Sequence, residues 1–371
     1  MDRVRISLPP GRAETYEVVI EPGLLPRLGA LVQVAAPAVR YAIIADATVA
    51  ALYADAVGRA LSGEHARADL FTFGPGEPSK TRETWAALTD RLLEAGFGRD
   101  ACVIGLGGGV TADLAGFLAS TYMRGVPVVQ VPTSLLAMID ASIGGKTGVD
   151  TAAGKNLVGA FQQPALVAID PETLRTLPES ELRSGLAEAI KHGAIADRAY
   201  LDWIASNAGA LLARDAAALA RLVRRSVEIK AEFVMRDPRE QGARAALNFG
   251  HTIAHAIERA TAYAVPHGFA VAAGMVLEAE LAIEAGLARA ESADLIRGVL
   301  EAVGLPADPP AGLDPAALLR AAGSDKKARD GRVRFALISE PGTICRTTDG
   351  AWTHALDPDR VLRVLGRNAV L

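Results

Sequence analysis

The chain has 371 residues, half of them hydrophobic and 22% charged, with a formal net charge of −4. At about 150 residues per domain this length favours two domains, and the composition excludes a disordered, collagen-like or low-complexity chain. A sequence pI of about 5.9 supplies no electrostatic footprint for a polyphosphate backbone, so any phosphate site is local.

The first 21 residues carry charges at Asp2, Arg3, Arg5, Arg12 and Glu14 without a continuous apolar core, so no secretory leader is expected. An exposed strand is expected at 16–21, followed by short apolar runs at 41–46 (YAIIAD), 69–73, 101–106 (ACVIGL) and 126–131. Between them Trp85, Leu88 and Leu92 recur at helical spacing. Strands alternating with helices imply βαβ units around a parallel sheet. The strand signal stops after 165–170, and 178–322 reads as almost entirely helical. A late hairpin is expected from 333–338 and 343–347 around Pro341-Gly342. The reading is an α/β, Rossmann-like nucleotide-binding domain over 1–177 and a mainly helical domain over 178–371, with a cleft between them. The apolar stretch 270–288 is broken by Glu278, Glu280 and Glu284, so no membrane span is expected. Cys102 and Cys345 cannot form a disulfide framework, and a reducing cytoplasm is expected.

Four glycines in five positions, Gly105 to Gly109, follow a strand and open a helix that carries Asp113. Bare backbone N–H groups at a helix N-terminus receive a pyrophosphate, although Val110 stands where the usual G-x-G-x-x-G pattern needs glycine. The string from Asp140 to Thr147 ends like a P-loop but has Asp140 where that motif needs glycine, so it is not read as an ATPase site. Lys146, Lys155 and Asn156 lie in this glycine-rich, turn-prone region and suit a phosphate cradle. Only seven of 39 basic residues are lysine, which makes each lysine worth inspecting as a compact point charge.

His251 and His255 share one helical face, and His267 follows in the turn after Pro266. Thr252 replaces the glutamate of a zincin, so the pattern fits a divalent site of two imidazoles and a carboxylate rather than a metalloprotease. Glu188 is a candidate for that carboxylate, and spacing alone leaves Glu181 equally open. If 244–255 is helical, Arg244, Asn248, His251 and His255 share a face, which suggests recognition of an anionic group near the metal, with Lys230 close by in sequence pattern.

In this order the strings PGEPSKT (75–81), GGGVTADLAGFLA (107–119), VPTSLLAMIDASIGGKTGVD (131–150), GKNLVGAF (154–161), SGLAEAIKHG (184–193), LNFGHTIAHAIE (247–258), HGFAVAAGM (267–275) and DKK (325–327) resemble the sugar-phosphate cyclases, and among them the 3-dehydroquinate synthase family. The resemblance implies an N-terminal NAD-binding domain, a helical C-terminal domain, a catalytic zinc or cobalt ion and a homodimer. Its metal ligands would be Glu188, His251 and His267. Nucleotide contacts would come from Asp46, Glu77, Lys80, Gly108, Gly109, Val110 and Asp113. Further contacts would come from Thr133 and Ser134, from Thr173, Leu174, Arg175 and Thr176, and from Lys146 and Lys155. The substrate would meet Asp140, Lys146, Lys155, Asn156, Lys191 and Lys230, then Arg244, Asn248, His255 and one or both of Lys326 and Lys327. Arg124 would reach the neighbouring subunit's site. Ser134, Arg175 and Ala254 depart from the family's frequent Thr, Lys and Gly.

The implied reaction is a phosphate-eliminating lyase step of the shikimate pathway, in which 3-deoxy-arabino-heptulosonate 7-phosphate becomes 3-dehydroquinate through transient oxidation by NAD, elimination, reduction and aldol closure. A related sugar-phosphate cyclase, a metal-dependent polyol dehydrogenase and a nucleotide-binding regulatory module remain as other readings; the last leaves the histidines, glutamate and lysines without a task.

Overall fold

The computed structural model describes residues 15–63, 66–323 and 333–368. In chain order its first eight strands are β1 (Glu17–Ile20), β2 (Arg40–Asp46), β3 (Arg67–Phe73), β4 (Ala101–Gly107), β5 (Val128–Pro132), β6 (Lys146–Thr151), β7 (Gly154–Phe161) and β8 (Leu166–Ile169). Six of them pair in parallel in the order β1-β8-β5-β4-β2-β3. The apolar runs explain this, because a strand covered on both faces has no polar side to alternate with. In β2, Tyr41, Ile43 and Ala45 pack on one face against α1 (Leu28–Ala35) and α3 (Asp55–Leu61), the latter preceded by the short α2 (Ala47–Val49). Ala42 and Ile44 pack on the other face against α4 (Arg82–Glu94) and α5 (Gly109–Thr121). Each of the buried isoleucines contributes roughly 1.5–3 kcal/mol over an exposed one.

Between β2 and β4 the strand order reverses, since β3 lies on one side of β2 and β4 on the other. Ligands of open α/β sheets bind beyond the carboxyl ends of strands at such a reversal. Asp46 ends β2 there, and Gly107 ends β4.

The glycine-rich region from Lys146 is a hairpin rather than a loop, with β6 and β7 antiparallel and Lys146 opposite Phe161. Its outer face is exposed, so the apolar signature of a buried strand is missing. Two of its glycines mark close backbone approach instead of turning, because a Cβ on Gly159 would collide with the Thr147 carbonyl oxygen.

Beyond β8 the chain is helical: α6 (Glu179–Ala196), α7 (Arg198–Ser206), α8 (Ala208–Leu212), α9 (Ala216–Arg236), α10 (His251–Ala260), α11 (His267–Glu284), α12 (Ser292–Ala302), α13 (Pro315–Gly323) and α14 (Pro358–Asn368). Their core continues under the sheet, where Val167 and Ile169 join it. Small residues let three helices cross closely. A Cβ on Gly274 of α11 would drive into the Gly250 carbonyl oxygen at the start of α10, and one on Gly268 would strike Ser184 of α6.

The helix expected to join Arg244 to His255 is interrupted. Residues Ala243–Asn248 form a 3-10 turn, Gly250 takes φ +80°, and α10 restarts at His251. Glu278 of α11 holds that restart, accepting from the Gly250 N–H at 2.7 Å and the Ile253 N–H at 3.1 Å. Arg244 and Asn248 therefore do not share a helical face with His255. The late hairpin is shorter than expected: β10 (Ile338–Glu340) pairs with β11 (Thr343–Ile344), while β9 (Arg334–Phe335) turns away to pair with β12 (His354–Ala355). No helix among the described residues is long and apolar enough to cross a membrane.

Candidate active site

The close crossing of α6, α10 and α11 brings Glu188, His251 and His267 together. His251 and His267 are the first residues of α10 and α11, and Glu188 lies one turn beyond Ser184, on which Gly268 rests. Nε2 of each histidine lies 3.3 Å from Oε1 of Glu188, and the three donor atoms all fall within 4.8 Å of one another. Tetrahedral bonds of about 2.0–2.1 Å place ligand atoms about 3.3 Å apart, so two imidazoles and a carboxylate at this spacing fit a zinc-like ion with a position left open. Glu181 lies on the exposed side of α6 and is not part of this cluster. Burial opposes charge on Glu188, yet the Lys191 ammonium and the His251 imidazole hold its carboxyl well below the usual range. Burial also opposes charge on His267, but the hydrogen bonds it donates to Glu188 and Glu258 raise it to about 10. A metal ion and a proton would compete for that edge of the imidazole.

Cations surround this point. Lys191, one turn along α6, pairs with the second oxygen of Glu188, and both are fully buried. Asp140, in the π-helical turn Ala137–Ala141, accepts from Lys230 Nζ at 2.5 Å. A π-turn adds one residue to the helical repeat and re-aims a side chain, a device frequent at functional sites. Burial pushes the Lys230 ammonium down to about 8, against the pull of Asp140. Asp140 is held well below the usual carboxylate range, burial being outweighed by Lys230 and Lys191. Asp140, Glu188 and His192 form a second group of close donors, but Lys230 and Lys191 already supply the positive charge there.

Arg244 is 2% exposed, its Nη1 donating to the Gly144 carbonyl at 2.9 Å and to the Pro238 carbonyl at 3.0 Å. Gly144 takes φ +88°, and a Cβ there would collide with the guanidinium. Asn248 Nδ2 donates to Glu240 Oε1 at 3.1 Å, and Lys146 pairs with the other oxygen of Glu240. His255 lies beside the metal-type cluster, its ring 5.7 Å from that of His251.

The nucleotide-type residues gather at the strand ends. Lys80, nearly buried, meets Asp113 of α5 at 2.5 Å. Gly108 caps α5, with Gly109 and Val110 in its first turn. Thr133 N–H donates to the Gly107 carbonyl at 2.9 Å, while the Ser134 hydroxyl accepts from Ala137 N–H at 3.3 Å. Asp46 caps the next helix through the N–H groups of Thr48 and Val49. In the 3-10 turn Pro171–Thr176, Tyr53 ties down Thr173 and Thr176 through its hydroxyl. Leu174 is fully buried in the core, so it offers only backbone, and its carbonyl accepts from Arg214 at 3.1 Å. Arg175 is exposed, 3.6 Å from Glu172. Lys155 joins the two ends: its ammonium lies 3.4 Å from Glu77 and 3.3 Å from Glu258.

Asn156 is exposed on β7 with φ +56°, its N–H on Asp150. Arg124 is exposed in a turn where Met123, Arg124 and Gly125 all have positive φ. Lys326 and Lys327 lie outside the described residues.

Three site-adjacent groups were not singled out from sequence. Glu258 follows His251 and His255 at i+7 and i+3 on α10, so extending the helical count by one turn finds it. Glu240 contacts a lysine 94 positions away, and no local pattern signals that. His192 is fully buried with neither ring nitrogen hydrogen-bonded among the described residues, and burial pushes it down to about 3.

Residues 70–184 match the family model for the 3-dehydroquinate synthase N-terminal region and residues 185–328 that for its C-terminal region. A 3-dehydroquinate synthase of Symbiobacterium thermophilum is 45% identical over 91% of this chain and 94% of its own. One of Xanthomonas axonopodis pv. citri is 49% identical over 88% and 90%. Among solved structures, a 2-epi-5-epi-valiolone synthase of Streptomyces hygroscopicus subsp. jinggangensis, with NAD+ and Zn2+ bound, superposes with a TM-score of 0.87 at 30% identity, covering 99% of both chains.

Proposed function

The chain belongs to the 3-dehydroquinate synthase family, and from that premise we propose that it converts 3-deoxy-arabino-heptulosonate 7-phosphate to 3-dehydroquinate and phosphate, a carbon–oxygen lyase reaction. The observation that carries this reading is the convergence of Glu188, His251 and His267 beside two lysine–carboxylate pairs with buried ammoniums, Lys191–Glu188 and Lys230–Asp140. A divalent zinc or cobalt ion held by the three would supply Lewis acidity toward a substrate hydroxyl, and NAD along the strand ends a temporary acceptor for its hydride.

The chain's own groups do the rest. Lys230 Nζ, pushed down to about 8, holds or gives up a proton near working pH, with Asp140 steering it. Lys191 keeps a fixed positive charge where negative charge grows during elimination. Lys146 and Asn248, both held on Glu240, turn to an incoming anion when it replaces that carboxylate. Asn156 and His255 complete the phosphate end, and one or both of Lys326 and Lys327 belong to the same reading. Arg244, fixed by two backbone carbonyls, keeps its other donors for the substrate carboxylate. Division into 1–177 and 178–371, a cytoplasmic homodimer and Arg124 reaching the neighbouring site belong to the same reading.

Incubation with the heptulosonate phosphate, divalent metal and NAD far below substrate concentration should release phosphate and 3-dehydroquinate over many turnovers, without net NADH. NADH accumulating in step with product would make the protein a dehydrogenase. Faster turnover of carboxylate-free sedoheptulose 7-phosphate would move it to another branch of the cyclases.

A further inference from the structure

The two imidazoles that face Glu188 are oriented from behind by unlike groups. His251 sets Nδ1 3.2 Å from the Phe249 carbonyl oxygen. His267 sets Nδ1 3.4 Å from Oε1 of Glu258 while its Nε2 faces Glu188. An imidazole that donates from Nδ1 carries its lone pair on Nε2, so both acceptors select the tautomer that presents Nε2 to the shared point. A backbone carbonyl does this for one ligand, and a side chain from a different helix does it for the other.

That side chain is 3% exposed. A buried carboxylate is costly unless donors surround it, and Glu258 has two: His267 and the Lys155 ammonium, which reaches the same oxygen at 3.3 Å from the hairpin while lying over the Tyr263 ring. We propose that Glu258 is a positioning residue for the metal centre, holding His267 in the ligating tautomer and orientation, with Lys155 clamping the carboxylate from the nucleotide side. This rests on the divalent-metal reading of Glu188, His251 and His267.

The test is Co(II) affinity of the metal-stripped protein, by competition with a chromophoric chelator, together with the visible absorption of the bound ion; neither needs substrate or NAD. Glu258→Leu, which removes the acceptor, should weaken Co(II) binding about 10–100-fold and change the absorption band. Glu258→Gln, whose amide oxygen still accepts from Nδ1, should recover much of the affinity. A folded Glu258→Leu protein with wild-type affinity and band, even with a lowered melting temperature, would show a merely structural role and overturn the inference. Should Glu258→Leu not fold, Glu258→Met takes its place as a side chain of similar length without an acceptor: a weakening of about tenfold or more supports the inference, and wild-type affinity overturns it. A wild-type protein that binds no Co(II) would overturn the metal reading together with the inference, whereas wild-type binding unchanged in the variants removes the inference alone.

Discussion

The two ends of the site are held by opposite means. At the strand ends, the Lys80–Asp113 pair apart, the contacts are backbone groups and short caps, set by turns within a few residues of one another, as at Gly108 and Asp46. At the helical end they are charged side chains, mostly buried, from α6, α9, α10 and α11, joined by Asp140 of the π-helical turn and Lys155 of β7, and each of these ammoniums has its carboxylate. The difference teaches where the molecule tolerates change: the first end depends on chain path, the second on every partner being present.

Breaking one partner at the helical end gives the largest expected effect. Glu188→Gln leaves Lys191 buried without its counter-charge and should cost about 3–5 kcal/mol in urea unfolding while abolishing Co(II) binding. A variant as stable as wild type would mean that water reaches Lys191. Next is the helix crossing that sets the cluster's geometry. Gly274→Ala forces a methyl into the Gly250 backbone and should lower stability by about 3 kcal/mol, with a drop in melting temperature and weaker metal binding. An unchanged melting temperature would show that α10 and α11 are not held this closely.

Lys230 sharpens the comparison through pH. Its folded value of about 8 lies below the roughly 10.4 of an unfolded lysine, so between these values the unfolded chain binds the extra proton. Stability then rises with pH across that window, the cost of the buried ammonium being fully present below pH 8. Urea unfolding at several pH values should show wild type gaining on Lys230→Met from pH 8 to pH 10; a falling difference would contradict the burial of a charged amine. The smallest effect belongs to the strand-end side, where Arg175→Lys alters an exposed pair at 3.6 Å and should change stability by less than about 0.5 kcal/mol. A larger loss would mean that the turn at Pro171–Thr176 depends on that guanidinium.

This contrast also explains what was readable in advance. The sheet strands announce themselves as apolar runs because both faces are covered, and the glycines before α5 because bare backbone is their purpose. The hairpin β6–β7 does not, since one of its faces is open and its glycines serve close approach. The histidine pair is visible at helical spacing, but joining it to Glu188 requires the α6–α11 crossing. The face drawn from Arg244 to His255 fails at Gly250, whose left-handed conformation ends one turn and begins another. Glu240 was invisible because its partners lie on a distant strand and a separate turn.

Among the described residues β1 pairs only with β8, Glu17 opposite Leu166, a separation of 166 − 17 = 149 residues, and the N–H groups of Gly23 and Leu25 end on the carboxylate of Asp170. During synthesis the first strand therefore has no partner until β8 has left the ribosome. The β2 to β5 strands can associate earlier, with short closures, while β1 bears a loop-closure cost spanning nearly half the chain. Until it docks, the β8 edge stands open to other chains, so the interval between emergence of β8 and capture of β1 is when the nascent protein is most exposed to aggregation.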